Sequence, residues 1–322
     1  MNAGRKNTYV AFSLSAIFLM LIACTDQPED PALLEPKFEK AQKFNTGNES
    51  LKNPLSNPAS PQQKLIEFVG QLFSELISHS KQLQQQVVLF AKSPSDKGLQ
   101  EAISTLKITH SSYTSIDILR TCCLSNFYEE PFEDKQISLH ARLDQHPLLP
   151  GYLDTVVGYP YSGIVHADIP ITKETMLKEF QLGDPHYVTL GFHALEVLLK
   201  GGGINRTAKG FSALSSTDDI STAKPELRRT LYAILLASEI NKDLSELQQT
   251  VITSLKIKLA KQTTKQSKVF VSELQVKLNS ALEETKTILK EGDISVDHHL
   301  NSNILNKRIA LIESLLAISF ND

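Results

Sequence analysis

Residues 184–203 read DPHYVTLGFHALEVLLKGGG, a mostly apolar run that predicts a buried helix. The run opens with an Asp-Pro pair and closes with three glycines, which are typical of a helix start and a helix end. His193 and Glu196 are three residues apart and therefore share one helical face. His186 lies seven residues before His193, close to two full turns, so we expect the three side chains to form one polar stripe.

Burying an imidazole and a carboxylate is costly unless they are paired or bound to a ligand. The spacing of His193 and Glu196 is therefore compatible with a structural pair, with metal ligation or with acid–base catalysis. His-x-x-Glu occurs in metal sites of helical bundles, where further carboxylates complete the ligand set. No second His follows at the offset found in zinc proteases. Gly191 has no side chain, so another backbone or a ligand can approach the helix there.

The segments on either side of this run also favour helices. Ser60, Pro61 and Gln63 predict a capped helix start, and apolar residues at helical spacing continue to about Lys92. Further helices are predicted over residues 95–127, 136–142, 172–180, 225–261, 265–290 and 296–320. With no convincing strand, the sequence indicates an all-α protein. We expect two helical-bundle halves, about 62–128 and 172–322, joined by the Pro/Gly/Tyr-rich segment 129–171.

The N-terminus predicts export. Arg5 and Lys6 precede an apolar run from Val10 to Ala23, and Cys24 follows a small residue. This pattern predicts a signal peptide over residues 1–23 and lipidation of Cys24, with a plain transmembrane anchor as the alternative. Residues 24–61 are rich in Pro and polar residues and predict a disordered tether. We expect an acylated protein on the outer membrane, facing the periplasm.

Composition excludes one class of partner. Lys and Arg number 33 against 36 Asp and Glu, a net charge of −3, so no basic field for nucleic acid is present. The adjacent Cys122 and Cys123 would close a strained ring, so a structural disulfide between them is not expected. They are interpreted as buried thiols, with a redox or metal role as the alternative.

The stretch Gly191-Phe192-His193-Ala194-Leu195-Glu196 resembles the Gly-x-His-x-x-Glu signature of the imelysin-like family. Residues 142–147, RLDQHP, resemble the family's R-I-N-x-W-P segment, with Asp144 and His146 as departures. Lys200 stands where the family usually has Trp. The resemblance covers roughly residues 63–322 and implies an all-α fold of two bundle-like halves with the signature near their interface. It also implies a periplasmic or surface-anchored role connected with iron uptake.

The resemblance leaves three functional hypotheses. The first is a lipoprotein that binds a divalent metal, iron or zinc, through His193, Glu196 and His186, acting with components of iron uptake. The second is a metallopeptidase in which Glu196 is a ligand or general base, since family members were first described as such. The third is a non-enzymatic binder of glycan or protein.

Further candidate residues come from the first hairpin and the long loop. Additional metal ligands are sought among Glu129, Glu130, Glu133, Asp144 and His146. The residues proposed to line a ligand loop are Arg142, Asp144, His146 and Tyr159, and Tyr152 and Tyr161 would extend an aromatic surface. His79 and His110 are interpreted as packing residues of their helices.

Overall fold

A computed structural model describes residues 60–121, 138–214, 223–291 and 302–317. Within these ranges the chain is helical and contains no strand, which confirms the predicted all-α class. The α-helices are α1 (Pro61–Lys92), α2 (Asp96–Leu119), α3 (Leu139–Asp144), α4 (Pro150–Leu153), α5 (Lys173–Glu179), α6 (Gly191–Lys200), α7 (Pro225–Ala260), α8 (Thr264–Glu291) and α9 (Ser302–Ala317).

Several predicted features lie outside the described residues. They are the signal peptide over residues 1–23, Cys24, the tether up to residue 59, Cys122, Cys123, Glu129, Glu130 and Glu133. The predicted continuation of α2 towards residue 127 also falls mostly outside them. The division of the chain into two halves stays a prediction.

Helix α1 begins where the sequence predicts. The Ser60 hydroxyl accepts a hydrogen bond from the Gln63 backbone N–H at 3.3 Å, and the Gln63 side chain accepts one from the Ser60 N–H at 2.8 Å. This reciprocal pair satisfies two N–H groups that the first helical turn leaves without a backbone acceptor. The apolar stripe of α1 is buried against α2 and α7.

The long helix α7 supports the elements that carry the candidate site. It packs along α1, α3 and α6, and α2 packs against α6 from another side. Large side chains of α2, α6 and α7 are fully buried in the shared core, among them Tyr113, Phe192 and Tyr232. The Tyr232 hydroxyl donates to the Thr189 carbonyl at 2.6 Å, which fixes the segment before α6. Helix α8 packs on α9, and α9 reaches α2.

A buried ion-pair cluster holds the segment between α4 and α5. Asp154 is fully buried, and its carboxylate accepts two hydrogen bonds from Arg229 of α7, at 2.5 and 2.8 Å. Arg206, in the loop after α6, lies 2.8 Å from the same carboxylate. Bidentate pairing of this kind offsets part of the cost of burying the charges. Asp154 therefore connects its segment to α7 and to the loop after α6.

Among the described residues, no helix combines the length and the apolar character needed to cross a bilayer.

Candidate functional site

The helix that carries the Gly-x-His-x-x-Glu stretch begins at Gly191, six residues after the predicted first residue, Pro185. Leu190 is extended, and Gly191 has a φ of +87°, so the backbone does not follow a helical path before this point. The preceding segment is held by tertiary contacts, since the Thr189 hydroxyl donates to the Met176 carbonyl at 2.6 Å. The Asp-Pro pair therefore starts a single turn over residues 184–187, which a non-helical stretch follows up to Leu190.

His186 does not join the predicted polar stripe, and this part of the prediction is wrong. The residue lies in the turn before α6 and is half exposed, with its Nδ1 2.7 Å from the Asp184 carboxylate. Without a continuous helix from residue 184, the seven-residue spacing no longer places His186 above His193. His193 and Glu196 remain on one face of α6, as their spacing requires.

Gly191 brings helix α3 directly onto the start of α6. A Cβ atom built at this position would lie 2.3 Å from the Leu143 carbonyl oxygen and 2.4 Å from that of Arg142. Any larger residue would push the two backbones apart, and the positive φ also favours glycine. The close approach places Asp144, the last residue of α3, beside His193.

Three helices contribute one ligand atom each to a compact cluster. The Asp144 Oδ1 lies 2.7 Å from the His110 Nε2 of α2 and 3.1 Å from the His193 Nε2 of α6. One ligand atom from each of these residues lies within 4.8 Å of the other two. The side chains are 29%, 22% and 12% exposed for His110, Asp144 and His193, so the cluster is shielded but reachable from solvent.

The charges of the cluster stabilise one another. Burial alone lowers the pKa of His193, but the carboxylates of Asp144 and Glu196 raise it more strongly, to about 9. Burial raises the pKa of Asp144, whereas its contacts with His110 and His193 hold it well below the usual range. At neutral pH the cluster therefore contains an ionised Asp144 and a protonated His193.

Aromatic rings form the wall around the three ligands. Phe192 stacks on His110 with ring centroids 4.7 Å apart and planes 16° from parallel. The exposed His146 packs edge-on against His193 at 5.3 Å between centroids. Tyr113 also contacts Phe192, at 5.4 Å. The rings pack against the imidazoles of His110 and His193 and place a third imidazole, that of His146, beside them.

Glu196 lies at the opposite edge of the His193 ring. Its Oε2 is 3.9 Å from the His193 Nδ1, and its Oε1 binds the ammonium group of Lys200. The contact with His193 is the first cause that lowers the pKa of Glu196, burial opposes it, and Lys200 lowers the pKa further. Glu196 is not part of the mutually close group formed by His110, Asp144 and His193.

Other predicted site residues take different positions. Arg142 turns away from the cluster towards α7, where its Nη2 lies 2.8 Å from the Asp243 carboxylate. Tyr159 and Tyr161 are 69% and 85% exposed, while Tyr152 stacks on Tyr187 at 3.8 Å between centroids. Arg142 therefore anchors α3, and the exposed aromatic rings are those of Tyr159 and Tyr161.

His110 is the member of the cluster that the sequence did not reveal. It was interpreted as a packing residue, but its Nε2 makes the shortest contact to Asp144. No short motif connects it with residues 144 and 193, and packing of α2 against α6 brings them together. His79, interpreted in the same way, bonds to the Ser112 hydroxyl at 2.8 Å.

Two imidazoles and one carboxylate are ligands that divalent transition metals accept. Their convergence from three separate helices, in a shielded position, fits such an ion better than it fits three unrelated packing residues. A family model described as Imelysin (peptidase family M75) matches residues 73–297 of the chain. No curated protein matches the chain.

Proposed function

Since the chain belongs to the imelysin family, we propose that it is an exported, lipid-anchored protein that binds a divalent metal ion through His110, Asp144 and His193 in the service of iron uptake. The observation that carries this proposal is the meeting of the three ligand atoms within 4.8 Å. Exposed acidic groups often cluster without a metal, but two of these ligands are imidazoles and all three are partly shielded.

The choice of metal follows from the donor atoms. Two histidines and one carboxylate with open positions are the ligand set of many non-haem Fe(II) centres, and zinc accepts the same donors. None of the three described ligands is a thiolate, and this donor set does not favour Cu(I). A protein that carries Fe(II), or Fe(II) held by a small oxygen-rich chelator, would use the open positions for exchange of its cargo.

Metal binding is tested by calorimetric titration of the purified protein with Fe(II) under anaerobic conditions and with Zn(II). We expect one ion per chain and a loss of affinity of more than about 100-fold in His193→Ala. His79→Ala is the matched control, because His79 is a half-buried helical histidine outside the cluster. Absence of binding by the wild-type protein, or equal binding by His193→Ala, would contradict the proposal.

Export and lipidation rest on Arg5, Lys6, the apolar run to Ala23 and Cys24. Each buried CH₂ of an acyl chain contributes about 0.8 kcal/mol, so two or more chains anchor a protein firmly. Cells fed labelled palmitate should incorporate the label into the wild-type protein and not into Cys24→Ala. Labelling that depends on Cys122 or Cys123 instead would contradict the assignment.

A metallopeptidase is the second candidate, favoured by a three-ligand set that leaves positions open for water, as in catalytic zinc sites. Glu196 is poorly placed as the general base, because it lies at Nδ1 of His193 and binds Lys200. Peptidase activity is tested by incubating the purified protein with unfolded protein substrates, with and without a chelator. Chelator-sensitive cleavage that disappears in Asp144→Asn would support the peptidase.

A glycan-binding role is favoured by the exposure of Tyr159 and Tyr161, since exposed aromatic rings are common sugar-stacking surfaces. Binding to neutral polysaccharides that is lost in Tyr161→Ala, at unchanged stability, would support it. Equal retention of wild type and variant on a polysaccharide column would count against it.

A further inference from the structure

We propose that Glu196 is not a metal ligand but a positioning residue that acts on His193 from the opposite edge of its ring, an assignment that rests on the proposed metal site. The Gly-x-His-x-x-Glu spacing alone leads one to expect that both residues ligate the ion. The geometry instead gives His193 the role of a ligand and places Glu196 outside the ligand group.

The two nitrogens of His193 face different groups. Nε2 is directed to the Asp144 carboxylate at 3.1 Å, whereas Nδ1 faces the Glu196 Oε2 at 3.9 Å. The nitrogens project from different edges of the ring, so a carboxylate beside Nδ1 is remote from an ion held at Nε2. Among the described residues, the group of mutually close ligand atoms contains His110, Asp144 and His193, and Glu196 stays outside it.

Lys200 fixes Glu196 in this position. The three side chains at residues 193, 196 and 200 follow one another along a single face of α6, because their spacing is three and four residues. The Lys200 ammonium binds the Oε1 of Glu196, which leaves Oε2 directed at the imidazole. The carboxylate therefore already has a cationic partner, and it is held on the Nδ1 side of His193, outside the group of mutually close ligand atoms.

A carboxylate behind a ligating histidine has a known physical effect. The ring N–H that does not bind the metal is stabilised, so the other nitrogen presents its lone pair and becomes a stronger ligand. At 3.9 Å the contact is an ion-pair distance, longer than a direct hydrogen bond, and one bridging water suffices to complete it. Glu196 thus sets the orientation and the basicity of His193 without contact with the ion.

The experiment uses Co(II) as the probe with the purified protein. Affinity is measured by titration, and the paramagnetically shifted ring N–H protons of the ligating histidines are followed by NMR. The variants are Glu196→Gln, which keeps a hydrogen-bond acceptor of the same shape, Glu196→Leu, which removes it, and Asp144→Asn. The control is Glu101→Gln, which changes the acid of another Glu–Lys pair four residues apart, on α2.

We expect Glu196→Leu to weaken Co(II) binding by about 10–100-fold and to speed the exchange of the His193 ring N–H with solvent. Glu196→Gln should recover most of this loss, because its amide oxygen can still accept a hydrogen bond from the water that bridges it to Nδ1. If Glu196→Gln binds as weakly as Asp144→Asn and the His193 N–H signal is unmoved, Glu196 is a ligand and this assignment fails while the metal site stands. Absence of Co(II) binding to the wild-type protein would overturn the metal site and this assignment together.

Discussion

Asp144 lies within hydrogen-bond distance of His110, with 2.7 Å between Oδ1 and Nε2, although the two residues belong to helices separated by the connection after α2. This contact makes His110 a member of the candidate site, although no local sequence motif marks it. It also explains why Asp144 stays ionised, since contacts with His110 and His193 outweigh the cost of its burial.

Replacement of His110 should abolish most metal binding. His110→Ala removes one of the two imidazole donors, and we expect an affinity loss of more than about 100-fold for Fe(II) or Zn(II) in calorimetry. His79→Ala on α1 is the control and should bind normally, because its partner is the Ser112 hydroxyl. Equal behaviour of the two variants would restore the interpretation of His110 as a packing residue.

Gly191→Ala should damage both stability and site. The added Cβ would lie 2.3 Å from the Leu143 carbonyl oxygen, and the alanine would have to adopt a φ of +87°. We therefore expect a loss of at least about 3 kcal/mol in the free energy of unfolding. Chemical denaturation measures it. Gly70→Ala in α1 has open space around its Cβ and should stabilise the protein by about 0.5–1 kcal/mol. Destabilisation of the same size in both variants would argue against the close approach of α3 and α6.

Metal affinity should rise with pH. His193 has a pKa raised to about 9, so at pH 7 an incoming ion must displace a proton from it. We expect the affinity to increase by up to about tenfold per pH unit from pH 7 towards 9 and then to level off, with a proton released into the buffer on binding. Titrations in buffers of different ionisation enthalpy measure that proton. Affinity that does not change between pH 7 and 9 would contradict the ion pairs assigned to His193.

The raised pKa of His193 also predicts how the stability of the metal-free protein depends on pH. A folded-state pKa above the unfolded value of 6.5 contributes stability that is fully present below pH 6.5 and is lost as the pH rises through 9. Thermal unfolding should therefore show the protein losing stability over this range, and His193→Gln should flatten the change. An unchanged slope in that variant would assign the effect to another residue.

Asp154→Asn should destabilise the fold without touching the candidate ligands. It leaves Arg206 and Arg229 buried without their carboxylate, and breaking a buried ion pair in this way costs about 3–5 kcal/mol. Asp184→Asn, at a half-exposed acid, should change the free energy of unfolding by less than about 0.5 kcal/mol. Urea titration of both variants makes the comparison, and equal stability would show that the buried cluster is dispensable.

Local signals predicted much of the fold. The capping box at Ser60 and the proline at residue 225 mark the starts of α1 and α7, because both encode the geometry of a first helical turn. The start of α6 was predicted too early. Residues 184–190 carry helix-start signals, but Asp184 to Tyr187 form a single turn, and hydrogen bonds of Thr189 and Tyr232 hold the backbone near Thr189 away from a helical path. Such tertiary contacts are invisible to a local pattern.

The candidate site is also predictable only in part, because local motifs mark some of its residues and tertiary packing brings in the others. His193 and Asp144 stood out through a motif and its upstream companion, and both lie in the cluster. His110 has no companion within its own helix, so its membership depends on how α2 packs against α6. Arg142 lies in the same upstream segment as Asp144, two residues earlier on α3, but its side chain points to Asp243 of α7 instead of the cluster.

The three ligand atoms come from α2, α3 and α6, which are far apart in the chain. An ion held by all three acts as a cross-link between these segments, and at a free concentration of 100 times Kd it adds about 2.7 kcal/mol to the stability of the folded state. Supply of the ion would then govern how long the protein survives the proteases around it, so the amount of protein would track the metal available to the cell.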